Sequence, residues 1–112
     1  MTPNEYQAEA LRTASGMNYD EHSTLENAAL GMCGEAGEFA DMVKKAIFQG
    51  HALDKDHLVK ELGDVAWYIA LGAHALGVDL ETVLRLNVEK LRKRYPDGFE
   101  VERSLHREEG DV

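Results

Sequence analysis

Four acidic residues stand out by type and spacing: Glu35 and Glu38 in GEAGEFAD, then Glu61 and Asp64 in KELGDVAW. At 100° per residue, Glu35 falls about 60° to one side of Met32, and Glu38 about 60° further round. Glu61 and Asp64 stand in the same relation to Leu58. Met32, Glu35, Glu38, Phe39 and Leu58, Glu61, Asp64, Val65 are therefore one pattern written twice. A lone pair of acids at this spacing is ordinarily two solvated side chains. Two pairs in one register, each bordering an apolar stripe, would be carried by a helical hairpin to the edge of one core. Unpaired carboxylates are costly there, and no basic residue occupies a matching place on either stripe. Divalent cations would neutralise them. A set of oxygen donors selects magnesium or manganese, either two ions or one with a second arriving on a phosphate ligand.

The surrounding residues sharpen that reading. Gly31, Gly34 and Gly37 recur at every third position, and Gly63 sits between Glu61 and Asp64. Each glycine costs a helix about 1 kcal/mol relative to alanine, which makes sense where backbones approach closely or a ligand must reach the acids. Asp41, one turn beyond Glu38, is either an outer partner or a surface acid. Other chemistries find less support. No glutamate is followed three residues later by histidine, as di-iron carboxylate bundles require. The histidines (His22, His51, His57, His74 and His106) show no ligand spacing, and His74 reads as a core or interface residue. Cys33 has no visible catalytic partner, and phosphate-binding glycine loops are absent. Trp67, Tyr68, Tyr6 and His22 could stack on a base, but core packing is the favoured reading for each.

Further along, the apolar line Leu80, Leu84, Leu91 is interrupted by Asn87, whose amide needs a partner if buried. Lys90 and Arg94 flank that line one turn apart. Both cations and the amide become sensible if a polyphosphate lies between the helices, with metal on one side and Lys90 and Arg94 on the other. The plain alternative is pairing with surface acids.

Four helices must position these groups. Thr2, Pro3 and Glu5 form a capping box that opens the first, which fades near Gly16. Ser23-Thr24-Leu25-Glu26 is a second box, starting a long helix to about Gly50. Asp54 or Asp56 caps the third, which ends at Gly77. Asp79 caps the fourth, which stops where Tyr95 meets Pro96. Apolar stripes Leu25, Ala28, Ala29, Met32, Ala36, Phe39, Val43, Ile47 and Leu58, Leu62, Val65, Ile69, Ala73, Leu76 predict a shared core. The expected architecture is an all-α four-helix bundle of one domain over residues 1–112. Residues 100–112 form a polar tail that packs loosely or on a partner subunit.

The chain has 112 residues, is 44% hydrophobic and carries a net charge of −9. That size suits one domain, and the charge argues against binding nucleic-acid polymers, whose phosphates are held by clustered Lys and Arg. Arg85, Lys90, Arg92, Lys93 and Arg94 nonetheless concentrate positive charge on one helix, which fits a small anion or a solvated face. The N-terminal residues have no apolar signal core, and the uncharged run from Val65 to Val78 is too short for a membrane span. A single cysteine, expected to be buried, fits a reducing compartment. These features predict a cytoplasmic protein with no membrane partner.

The strings GEAGEFADMVKKAI, KELGDVAWYIA and NVEKLRKRYPDGF resemble the MazG-like nucleoside triphosphate pyrophosphohydrolases, an all-α superfamily marked by ExxE, a spacer and ExxD. The resemblance spans about Tyr6 to Phe99. It implies that Glu35, Glu38, Glu61 and Asp64 bind Mg2+, with Mn2+ a possible substitute. It further implies that Lys60, Lys90 and Arg94 contact phosphates and that Asn87 positions the nucleotide. Members convert nucleoside triphosphates to monophosphate and pyrophosphate, and assemble as homodimers or homotetramers with active sites drawing on neighbouring subunits. Glu38 is the expected acceptor of the attacking water's proton. Rival readings are another pyrophosphohydrolase of the superfamily, acting on dUTP, dCTP or phosphoribosyl-ATP, and a non-catalytic helical nucleotide-binding or sensor module.

Overall fold

The structure, a computed structural model, describes residues 1–14 and 20–112. These form helices α1 (Pro3–Arg12), α2 (Glu21–Phe48), α3 (Lys55–Ala75), α4 (Leu80–Arg94) and α5 (Val101–Leu105), and no strand among the described residues. The expected all-α class holds. The fading of the first helix near Gly16 lies outside the described residues. Two compact units divide the chain, residues 1–80 and 81–112.

Local chemistry sets the helix ends of the first unit. Thr2 accepts from the Glu5 N–H at 3.1 Å while the Glu5 carboxylate accepts from the Thr2 N–H at 3.3 Å, the expected capping box with Pro3 at the first turn. The second helix starts earlier than Ser23. Asp20 is its N-cap, accepting from the Ser23 N–H at 2.8 Å, because a carboxylate facing the helix N-terminus gains both a hydrogen bond and the dipole. Of the two candidates for α3, Asp54 is the cap, accepting from the His57 N–H at 3.0 Å. At the far end Gly77, with φ +74, lets Val78 N–H reach Ala73 O and Gly77 N–H reach His74 O, each at 3.0 Å. This paired closure of the last carbonyls needs a left-handed residue, which glycine supplies without strain.

Helices α2 and α3 pack as the expected hairpin, and α1 lies against α3. Gln7 fastens α1 in place. It is 7% exposed, donates to Ala70 O at 3.2 Å and Val78 O at 3.3 Å, and accepts from Leu80 N–H at 3.0 Å. Both ends of its amide are satisfied, so the buried polar group ties three segments together. Trp67 makes the second tie, its indole N–H reaching Ala10 O at 3.0 Å and Thr13 Oγ1 at 2.7 Å.

The core is thinner than the apolar stripes predict. Its buried members are mostly alanine (Ala10, Ala28, Ala70, Ala73, Ala75), with Leu71 and Leu80. Leu62 and Leu76 of the predicted α3 stripe stay 56% and 62% exposed. Ala29, Ala36 and Ile47 of the α2 stripe are also exposed. A hairpin of two helices buries only the narrow seam where they touch, and small residues at that seam bring the backbones close. Cys33 is exposed rather than buried, since it faces away from this seam. His74 is exposed too, not a core residue.

In the second unit, α4 ends at Arg94 before Tyr95-Pro96, as expected. The tail is not loose: it contains α5, and Asp111 closes on Arg94 in a two-pronged ion pair with N–O distances of 2.6 and 2.7 Å. Asn87, expected at a core position, is exposed, as are Leu84 and Leu91 on the same line.

The glycines of α2 do different jobs. A Cβ at Gly31 would overlap the Tyr68 ring, whereas Gly34 and Gly37 have nothing within 4 Å of a built Cβ. Gly31→Ala is therefore expected to destabilise by about 1–3 kcal/mol through overpacking. Gly34→Ala should be neutral or stabilising by up to about 1 kcal/mol. Urea unfolding of the two variants checks the contrast.

Candidate metal centre

The hairpin brings Glu35 and Glu38 of α2 to Glu61 of α3, and one carboxylate oxygen from each lies within 4.8 Å of the other two. Both helices are anchored where this happens. The Gly31 notch receives Tyr68, so α2 approaches α3 closely one turn before Glu35. Asp64 lies outside this tight triad. It lines a cleft with Glu35, Trp67 and Tyr68, and its charge still reaches Glu35 and Tyr6.

Glu61 is the most constrained of the acids. It is 5% exposed, and its Oε1 lies 3.0 Å from His57 Nε2. Its Oε2 is buried with no hydrogen-bond partner among the described residues. Leaving a buried acceptor without a donor costs about 1–3 kcal/mol, more when it is charged. Glu35 feels the same crowding. Its partial burial, then the charges of Glu38, Asp64 and Glu61, and last a hydrogen-bonding contact between the Glu35 and Glu61 side chains, push its carboxyl above the ordinary glutamate range. A cation fits this arrangement: it would give the orphaned Glu61 oxygen a partner and offset the crowded negative charge. Three carboxylates and no sulfur or imidazole in the triad suit a hard ion such as Mg2+ or Mn2+.

Two open clefts flank the triad. The first, of about 330 Å³, is walled by Trp67 and Tyr68, whose rings meet edge to face at 4.9 Å. The second, of about 400 Å³, is floored by Gly34 and Gly37 and bordered by Glu38, Asp41, His57 and Glu61. Asp41 there pairs with Lys45 at 2.7 Å and Lys44 at 3.5 Å, which holds its carboxyl below the ordinary range. Tyr6, its hydroxyl 3.5 Å from Gly63 O, has its pKa raised by burial and by the nearby Asp64 charge.

The remaining predicted site residues are placed less tellingly. Lys60 is exposed on α3 beside Glu61. Asn87 and Lys90 are exposed on α4, and the Lys90 charge helps depress the Asp111 carboxyl. Arg94 is occupied by Asp111, with only 9% of its side chain exposed, so a phosphate contact there requires that pair to open. His57 is the site residue the sequence reading missed. Its i, i+4 spacing to Glu61 on one helix face was the available signal.

With this geometry in view, the comparisons with known proteins are direct. The family model for the MazG nucleotide pyrophosphohydrolase domain matches residues 23–99, and the chain belongs to that family. That range includes Glu35, Glu38, Glu61 and Asp64. The chain is 40% identical over 83 residues to the Gene 37 protein of Mycobacterium phage L5, covering 70% of this chain and 73% of that one. It is 37% identical over 70 residues to the Bacillus subtilis (strain 168) protein YvdC, described as uncharacterized, covering 54% of this chain and 66% of that one. No solved structure gives a significant match.

The raised Glu35 carboxyl has a consequence for stability. Because the fold holds this proton more tightly than the unfolded chain does, the group's contribution is full below about pH 4.3. It is lost as pH rises through the raised folded value. In EDTA, Glu35→Gln is expected to be more stable than wild type at pH 7 and to match it more closely near pH 4. Urea midpoints at the two pH values measure this; a destabilised variant at pH 7 contradicts the crowding.

Proposed function

We propose that the protein is a Mg2+-dependent nucleoside triphosphate pyrophosphohydrolase, converting a (d)NTP to the (d)NMP and pyrophosphate, with Mn2+ able to replace Mg2+. The observation that carries this reading is the Glu35, Glu38 and Glu61 triad, together with a Glu61 oxygen that is buried and without a donor. Membership of the family supplies the reaction class. Glu35, Glu38 and Glu61 would hold the ion, with Asp64 at the edge of the same site. When bound, such an ion polarises a phosphoryl oxygen and lowers the pKa of coordinated water.

The chain's own residues do the rest. Glu38, exposed at the rim of the glycine-floored cleft, accepts the proton of the attacking water. Gly34 and Gly37 leave the room a bulky anion needs beside the acids. Lys60 and Lys90, and Arg94 once its pair with Asp111 opens, contact phosphates and offset charge on the departing pyrophosphate, while Asn87 positions the nucleotide. Residues 1–112 act as one MazG-like domain, its helices completing a four-helix bundle within a homodimer or homotetramer. Leu30, Ile47, Phe48, Leu62 and Leu76, at 56–78% exposure, give such an assembly apolar surface to cover. Among the described residues no helix is long and apolar enough to cross a membrane. On the proposed function the enzyme works beside its nucleotides in the cytoplasm, without membrane or nucleic-acid polymer as partner.

Pyrophosphate release from a panel of canonical and modified nucleotides tests this. Release should require a divalent ion and stop in EDTA, and Glu38→Gln should lose about 10²–10⁴-fold in rate with its fold retained. Stabilisation by nucleotide without pyrophosphate release would instead favour a sensor module.

A further inference from the structure

Resting on the reading of Glu35, Glu38 and Glu61 as a cation site, we propose that His57 is its positioning residue. The His57 Nε2–H donates to Glu61 Oε1 and thereby aims the buried Oε2 at the ion. Asp54 accepts from the His57 N–H at 3.0 Å, which pins the first helical turn and the residue that carries the imidazole. One turn later the imidazole lies 3.0 Å from Glu61 Oε1.

A glutamate carboxylate rotates about a broad, roughly two-fold terminal torsion, so its oxygens exchange places unless one of them is held. Here one oxygen is held from the solvent side and the other is buried without a donor. The asymmetry is what a ligand needs: one oxygen anchored, the other presented. The imidazole itself is free to serve this role, since its side chain is 54% exposed and borders the glycine-floored cleft. A carboxylate oxygen only accepts, so in the Nε2–H tautomer the contact is a hydrogen bond donated to Glu61 rather than a lone pair offered to a metal. Outer partners of this kind are worth about 10–100-fold in metal affinity.

The test is Mn2+ titrated into the metal-free full chain, with free ion followed by electron paramagnetic resonance. Wild type is compared with His57→Gln, which keeps a side-chain N–H, and with His57→Ala and His57→Phe, which do not. Both donorless variants should bind about 10–100-fold more weakly, while His57→Gln stays within a few-fold of wild type. Metal-free thermal melts of the two donorless variants should fall together below wild type, because Glu61 Oε1 loses its donor, and binding is therefore compared at a temperature where every variant is folded. Donorless variants that bind as tightly as wild type overturn the proposal. So does His57→Gln binding as weakly as His57→Ala, or an imidazole nitrogen coupling to Mn2+ in wild type that is lost in His57→Gln, since either makes His57 a direct ligand. Failure of wild type to take up Mn2+ overturns the cation site itself, and this role with it.

Discussion

Glu61 puts an ionisable carboxylate at the seam of a helical hairpin, 5% exposed, with one oxygen held by His57 and the other given no donor. Most of the local architecture makes sense around that arrangement. The same seam crowds Glu35 and Glu38 against it, and the strain shows in the raised Glu35 carboxyl. Structures tolerate a buried, underpartnered charge where something else is meant to complete it. The glycine floor on one side and the aromatic wall on the other leave space for that completion on both flanks.

The hairpin can hold such a group because its seam is narrow and firm. Alanines and Gly72 bring α2 and α3 together, Gly31 accepts the Tyr68 ring, and Gln7 locks α1 and the end of α3 with three hydrogen bonds. Rigidity there comes from close backbone approach and satisfied polar ties rather than from a large apolar interior. The larger apolar side chains are instead left outside, on faces the single chain does not bury.

Much of this was legible in the residues. The repeated acid register pointed to Glu35, Glu38, Glu61 and Asp64, of which the hairpin gathers the first three closely, and short-range capping chemistry located the start of α1 and, as one of two candidates, of α3. Such signals are local, so a sequence carries them openly. Burial is not local. The three-and-four stripes mark which face is apolar, not whether one chain has enough partners to cover it, so Leu62, Leu76 and Asn87 were assigned to a core that the chain alone does not build. Asp20 displaced Ser23 as the cap of α2 because both residue types suit the role and only geometry decides. The role of His57 was hidden for a related reason: an exposed His–Glu pair one turn apart is common, and only the burial of Glu61 gives this one a purpose.

Trp67 is the single tryptophan of the chain. Its indole N–H is shared between Ala10 O and Thr13 Oγ1, its ring abuts Tyr68, and one edge faces the cleft beside Glu35 and Asp64. Ultraviolet emission from this protein therefore has one principal source, seated between the latch of the first helix and the acidic cleft. Undocking of α1 and filling of the cleft would each alter that fluorophore's surroundings, so the molecule carries a built-in optical gauge of its own site, with no label added.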